Sequence, residues 1–336
     1  MATIDKDALT RSVYLFGSVT HGPYGLMTFS PRGRVTTRYH ANEYKYGIDG
    51  DVLSLMRADG TVTSRMKLDA DGRHFVPHDG PGHYLTPQLA LDPAEGTSLM
   101  PPVFVNTLPK AGTYLVAKAL SNIGYQSLDL HVMDSVVHDN RGVDEADIHF
   151  DPWSRELPVS ARAVAALIRR GEFAVGHLSD QHEMQAFANQ RVRLINVIRE
   201  PRSMLLSFFT FVQAKVKPSA EQELWAGMDG IDAFKAFLLC QPIDRWLGQT
   251  QTMAEHFDCL RYEDLKAGKV ARKAVGTALS TKLGGGLKSA LGQKTATFIE
   301  GDRDASHEWF RDPQIAAYLE ARGVNDVSRA YWPELN

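Results

Sequence analysis

The sequence predicts an α/β protein, a doubly wound parallel sheet with a phosphate-binding strand-loop-helix, preceded by a small antiparallel all-β module. Three observations carry this expectation. From Arg11 to Phe75, short β-rich runs are punctuated by glycines and Asp-Gly pairs. Beyond residue 100, short buried runs alternate with segments of helical apolar spacing. One segment, VFVNTLPKAGTYLVAKAL, passes from a strand through a tight loop into a helix. At roughly 100 to 200 residues per domain, the 336 residues have room for about two domains. They are read as residues 1–98, the β-rich module and its linker, and residues 99–336.

In the first part, VYLF, GLMTF, VTTRY, DVLSLM and TVTSRM are the strands, and HGPYG, SPRG, GIDGD, ADG and DADG are the turns. Tyr14, Tyr24, Tyr39, Tyr44 and Tyr46 read as hairpin packing, with stacking on sugar rings as the other reading. Six prolines between Val76 and Pro102 mark that stretch as a linker. The second part then opens with a buried strand at Val103–Asn106 and a helix at Thr113–Ile123, stopped by Gly124. Further strands are expected at Ser127–His131, Phe173–His177, Leu194–Ile198 and Cys259–Tyr262. Helical patterns fall at Ser160–Arg170, Pro201–Lys215, Ile231–His256 and Ala271–Leu283, with the glycines at 284–286 as a stop. Strands alternating with helices predict a parallel sheet covered on both faces. The aperiodic interval Val132–Pro158, rich in Asp and His, reads as a long loop on the active side.

Composition narrows the function classes. Hydrophobic residues make up 43% and charged residues 23%, within the globular range. With 37 basic and 40 acidic side chains the net charge is -3, which gives no global field for nucleic acid, so an anion site must be local. Cys240 and Cys259 make neither a disulfide framework nor a metal cluster, and fit a reduced compartment. The polar start MATIDKDALT does not read as a secretory signal, and no apolar run reaches the roughly 18 residues of a spanning helix. The chain is therefore expected to be cytoplasmic, without a membrane span.

The loop TLPKAG, between a strand ending at Asn106 and a helix starting near Gly112, is an anion cradle. Backbone N–H groups of the first turn and the positive end of the helix dipole face the loop, and Lys110 adds a point charge. Phosphate is the expected guest. The loop differs from GxxxxGK[ST], because its lysine precedes the glycine and no second glycine stands upstream, so Mg-dependent phosphoryl transfer is disfavoured. The same residues could also be a plain strand-to-helix turn. The second signal is RLINVIREPRSMLLSFFTF, in which a buried strand runs into Arg199, Pro201 takes a first helical position and Ser207 follows on the helix. In a doubly wound sheet, ligands bind beyond the carboxyl ends of the strands, so Arg199 and the Lys110 loop can face one molecule. Arginine offers a forked hold on phosphate and Ser207 a hydroxyl donor. Alone, these residues would equally fit a solvated surface.

Together the two segments resemble the PAPS-dependent sulfotransferases, whose ligand is 3'-phosphoadenosine 5'-phosphosulfate (PAPS) and whose nucleotide product is 3'-phosphoadenosine 5'-phosphate (PAP). Pro109, Lys110, Gly112 and Thr113 match that family's phosphosulfate loop P-K-x-G-T, and Arg199, Pro201 and Ser207 match its 3'-phosphate motif. FAVGHLSD resembles the strand end T-H-L-P that supplies the base in cytosolic-type members, here His177 and Leu178. CLRYEDLKAG resembles the Y-E-D-L stretch whose tyrosine contacts adenine, here Tyr262. The likeness runs from about residue 102 to residue 309 and leaves the β-rich part uncovered.

The resemblance implies cofactor contacts from Pro109, Lys110, Ala111, Gly112, Thr113, Tyr114, Arg199, Ser207, Tyr262 and Gly301, with His177 and Lys110 catalytic and no metal. Two departures stand out. FIEGDRDASHEWF replaces the family's R-K-G and G-D-W, so that Glu300 stands where a basic residue is usual and Arg303 is a candidate replacement. Tyr114 takes the place of a Thr or Ser after the Gly-Thr pair.

His177 has the neutral pKa suited to removing a proton from an acceptor hydroxyl. Asp129, His131 and Asp134 in SLDLHVMD are competing bases, because some carbohydrate sulfotransferases use a carboxylate from that region. His138 and His149 lack metal-site spacing and read as a solvated loop, and Trp225, Phe234, Phe237 and Trp246 read as core. The leading expectation is transfer of a sulfuryl group from PAPS to a hydroxyl or amine of a small-molecule or glycan acceptor. A nucleotide kinase and a non-catalytic nucleotide-sensing protein that recognises a glycan or partner are the alternatives.

Overall fold

The computed structural model describes residues 3–37, 40–93, 98–144, 147–217, 220–225, 227–228, 230–293 and 305–335. After a short helix α1 (Lys6–Thr10), the first part forms β1 (Ser12–Ser18), β2 (Gly22–Thr28), β3 (Lys45–Asp49), β4 (Val52–Met56), β5 (Val62–Leu68), β6 (Phe75–Pro77) and β7 (His83–Ala90). They pair antiparallel in the order β2-β1-β7-β6-β5-β4-β3. One face carries its own core, with Tyr14 edge-on to Phe29 and Phe75, and Tyr46 donating to the Ser30 carbonyl. Tyr24 remains exposed, the Arg34 guanidinium lies over Tyr44, and Tyr39 falls outside the described residues.

The linker expected at 76–102 is in part a central strand. β7 pairs with β1 along its length, and Pro87 fits because the register shifts there and β6 reaches β7 only at the Phe75–Leu85 pair. Proline cannot donate to a ladder, and no β6 residue pairs with Pro87.

The second part builds β8 (Val103–Thr107), α2 (Thr113–Asn122), β9 (Gln126–Met133), β10 (Val137–Asp139), β11 (Glu156–Leu157), α3 (Ala161–Ala165), β12 (Glu172–His177), α4 (Gln181–Asn189), β13 (Arg193–Ile198) and α5 (Pro201–Lys215). It continues through α6 (Ala220–Glu223), α7 (Gly230–Cys240), α8 (Ile243–His256), β14 (Cys259–Arg261), α9 (Tyr262–Lys266), α10 (Arg272–Val275), α11 (Thr277–Leu291), α12 (Pro313–Ala321) and α13 (Val324–Tyr331). The sheet order is β11-β10-β9-β12-β8-β13-β14. From β9 to β14 the pairs are parallel, and β10 and β11 extend the edge antiparallel, so the sheet is mixed rather than purely parallel. The β8 residues are all buried, as strands covered on both faces must be. One face packs on α2, α10 and α11 and the other on α3, α4, α5, α7 and α8. Trp225, Phe234, Phe237 and Trp246 are core, as expected.

Three helical expectations change. Ile231–His256 is two helices, because Pro242 lacks the N–H that a continuous helix would use. Ser160–Arg170 keeps only the five-residue α3. Ala271–Leu283 is broken at Gly276 into α10 and α11, and the glycines at 284–286 lie inside α11 instead of ending it. A Cβ on Gly286 would sit 2.4 Å from the Ala119 carbonyl oxygen, so the bare backbone is what lets α11 approach α2.

The two sheets are locked together at their margin. Arg11, buried, makes a bidentate pair with Glu172 at 2.8 and 2.9 Å and donates to the carbonyls of Leu167 and Asp92. The Arg169 amide also donates to Glu172, and its guanidinium donates to the Thr10 carbonyl. Glu172 is the first residue of β12, whose last residue is His177.

Candidate active site

A cavity of about 630 Å³ opens at the carboxyl ends of β8, β12 and β13. Its floor is the turn from β8 into α2. Gly112 caps α2 in the left-handed region at φ 103°, and Lys110 is also left-handed at φ 62°, a conformation that disfavours any residue with a Cβ. A Cβ on Gly112 would lie 2.6 Å from the Tyr262 ring, so the glycine serves both the turn and the close packing of that tyrosine. Arg199, at the end of β13, lays its guanidinium 4.4 Å over the same ring and donates to the Lys110 carbonyl at 2.8 Å. The Lys110 ammonium stands 4.3 Å from the Phe211 ring of α5. Ser207 lines the wall that α5 contributes.

His177 lies beside this floor. Its Nδ1–H donates to the Thr107 carbonyl at 2.8 Å, which fixes the tautomer and leaves the Nε2 lone pair available. Burial pushes its pKa down to about 4, so the ring is neutral at physiological pH. The buried Thr107 hydroxyl bonds the Thr113 hydroxyl and lies 3.2 Å from His177 Nδ1. Asn106 clasps Asn196 across the sheet and accepts from the Leu178 amide, which sets the turn after His177.

Of the expected contacts, Pro109, Lys110, Gly112, Thr113, Tyr114, Arg199, Ser207 and Tyr262 line the cavity with His177. Ala111 does not, being fully buried with its amide donated to the Leu108 carbonyl. Gly301, Glu300 and Arg303 fall outside the described residues. Among the competing bases, Asp129 is exposed and does not line the cavity, and Asp134 accepts from the Ser179 amide and hydroxyl and the Asp180 amide. His131 does line it, with its ring 4.5 Å from that of His177.

His138 and His149, expected in a solvated loop, are cavity walls. β10 carries His138 inward, where its Nε2 lies 3.6 Å from Glu156, and His149 packs edge-on to Tyr114 and Phe211. Burial, with Lys110 next, holds the His149 pKa down at about 4, and burial also lowers His131 and His138. No grouping of His, Cys, Asp and Glu suited to a metal occurs among the described residues.

Sequence reasoning missed the support of α5. Glu200, fully buried, accepts from the Ser203 amide and hydroxyl, the Arg202 guanidinium and the Ser328 hydroxyl. Glu263 accepts from the Glu200 amide and from Trp332 Nε1. The carboxylate preceding Pro201 was a visible N-cap signal, but its α13 partners are set only by the fold.

The family model described as Sulfotransferase domain matches residues 100–270, half of the chain, and the chain belongs to this family. No curated protein matches. Among solved structures, a mouse sulfotransferase complexed with PAP is similar at 13% identity and a TM-score of 0.39, over 68% of this chain and 87% of that one. A retinol dehydratase in complex with androsterone and inactive cofactor PAP is similar at 15% identity and a TM-score of 0.36, over 68% and 80%. The sulfotransferase domain from the curacin biosynthetic pathway is similar at 14% identity and a TM-score of 0.28, over 63% and 82%. No helix among the described residues is long and apolar enough to cross a membrane.

Proposed function

We propose that this protein transfers the sulfuryl group of PAPS to an acceptor hydroxyl or amine. The observation that carries the reading is the convergence of Lys110, Arg199 and His177 on one cavity around the α2 N-terminus. The residues present fit a doubly phosphorylated nucleotide: a glycine turn that a Cβ would block, a buried guanidinium and a lysine stand within one cradle. When bound, PAPS supplies a sulfuryl group activated by its 5'-phosphate.

Lys110 and the α2 amides hold the 5' end and stabilise negative charge as it develops there. Arg199 and Ser207 hold the 3'-phosphate, which selects PAPS over ordinary nucleotides. Tyr262, which carries Arg199 over its ring and lines the cavity, contacts adenine. His177 Nε2 takes the acceptor proton while Thr107 keeps the ring aimed. Residues 99–336 carry this chemistry, and residues 1–98 brace the start of β12 through Arg11.

Calorimetric titration with PAP, and with ATP plus Mg, tests the reading. PAP is expected to bind and ATP to bind far more weakly. Preference for ATP with Mg would point to a kinase, and binding of PAP without transfer to any acceptor would point to a nucleotide-sensing protein.

A further inference from the structure

The part of the cavity left beyond the nucleotide cradle is unusual in its chemistry. Four imidazoles dominate its polar wall, with His131 and His177 in ring contact at 4.5 Å, His138 and His149 on the flanks and Asn140 beside them. Phe211, Trp153 and Met133 supply apolar surface, Lys110 borders this end over the Phe211 ring, and no carboxylate or arginine at this end lines it. The His131 and His149 side chains make no hydrogen bond among the described residues. Polar groups turned into a binding cavity and left without protein partners are suited to a ligand's polar groups.

A neutral imidazole offers one N–H and one lone pair, the same pair of capacities that a hydroxyl has. Charging several rings in one buried cavity is opposed by burial and by their mutual repulsion, so the rings act as neutral donors and acceptors, the form that matches hydroxyls. With their centroids 4.5 Å apart, the His131 and His177 rings stand close enough for hydroxyls on adjacent carbons to reach one ring each. Given the sulfotransferase reading above, on which this rests, we propose that His131 is a specificity-determining residue that holds a second hydroxyl beside the reacting one. The acceptor class is then a neutral vicinal diol on an apolar or aromatic ring.

The transfer itself balances within that complex. The reacting oxygen forms its bond to sulfur as the bond from sulfur to the 5'-phosphate oxygen breaks. The hydroxyl proton goes to His177 Nε2, and the neighbouring hydroxyl keeps its proton, shared with His131.

The test pairs catechol with phenol and cis-1,2-cyclohexanediol with cyclohexanol, both as acceptors with PAPS and as ligands titrated by calorimetry into the PAP-saturated protein. Each diol is expected to bind about tenfold or more tightly than its partner alcohol, the worth of one hydrogen bond to a buried group. His131→Phe keeps the ring shape and is expected to bring that ratio near one, and His131→Gln, which can donate and accept, to restore part of it. PAP affinity and the thermal transition, measured on the same samples, show that the variants fold and bind the nucleotide.

Equal affinity for diol and mono-alcohol in the wild type, or a ratio that His131→Phe leaves unchanged, overturns the proposal. So does equal loss of turnover on both members of each pair in His131→Phe, which would make His131 the base. Tight PAP binding with no diol binding overturns the acceptor class alone, whereas absence of PAP binding in the wild type overturns the donor reading.

Discussion

The end of the cavity proposed to hold the donor, the donor end, is built from Lys110, Gly112, Arg199 and Tyr262, all at strand ends or the turns that follow them, and its charges are permanent. The end proposed to take the acceptor, the acceptor end, is built from His131, His138, His149 and Trp153, drawn from the β9–β10 edge and the segment behind it, and burial keeps its histidines neutral. The first end is set by backbone turns on a rigid sheet and suits a fixed phosphate ligand. The second is set by side chains on an irregular stretch, where specificity can vary without disturbing the cradle.

The largest effects should come where the two ends meet. His177→Ala is expected to lower turnover by roughly 10²- to 10⁴-fold, the usual worth of a general base, with PAP affinity nearly unchanged by calorimetry. Lys110→Ala should cut turnover by about 10²- to 10³-fold, more than it weakens PAP binding, because a charge aimed at the leaving oxygen matters most in the transition state. Near-normal turnover in a folded His177→Ala protein would shift the base to His131.

Next in size is the lock between the sheets. Glu172→Ala strands the buried Arg11 guanidinium and is expected to destabilise the fold by about 3 to 5 kcal/mol, read as a lower urea midpoint. Measured well below the transition, PAP affinity should hold. A loss of PAP affinity in the folded variant would mean that the first sheet shapes the donor end as well.

Much of the donor end was legible because a strand, a glycine turn and a helix start are local in sequence. Pro201–Lys215 was read with the bounds it has, since Pro201 and the apolar spacing are local signals too. The other end was legible only in outline: the interval 132–158 was read as lying on the active side and His131 as a candidate base, and both line the cavity, whereas the inward turn of His138 and His149 was not foreseen. That His138 turns inward depends on β10 pairing antiparallel with β9 across a short reversal, and the placement of His149 depends on Tyr114 and Phe211. Thr107 was hidden for another reason. It looks like one more buried strand residue until the fold brings His177, 70 positions on, against its carbonyl. The misread glycines of α11 make the same point, since only the crossing of α2 shows why a helix keeps them.

A smaller effect sharpens the donor end by itself. Arg199→Ala should weaken PAP binding by about 1.5 to 3 kcal/mol, the range for hydrogen bonds to a charged group. Binding of adenosine 5'-phosphosulfate, which has no 3'-phosphate, should fall much less. Equal losses for both ligands would mean that Arg199 serves by holding the Lys110 carbonyl and Tyr262 rather than by reading the 3'-phosphate.

The smallest expected effect is one of pH, and it belongs to the acceptor end. His149 has a folded pKa of about 4 against an ordinary value of 6.5, lowered by burial first and then by Lys110, His177, Arg155 and Lys215 around it. Because the folded value is the lower one, the unfolded chain takes up a proton first as pH falls through about 6.5. Stability that is fully present above that pH is therefore lost progressively down to about 4. His177 shares the direction and the window. His149→Phe removes one such group while keeping an aromatic ring between Tyr114 and Phe211. The drop in melting temperature between pH 7 and pH 5 should then be smaller in the variant than in the wild type, with carboxylate contributions common to both cancelling in the comparison. Identical drops would show that the His149 ring is hydrated in solution, and the contrast between a permanently charged donor end and a neutral buried acceptor end would then fail at that residue.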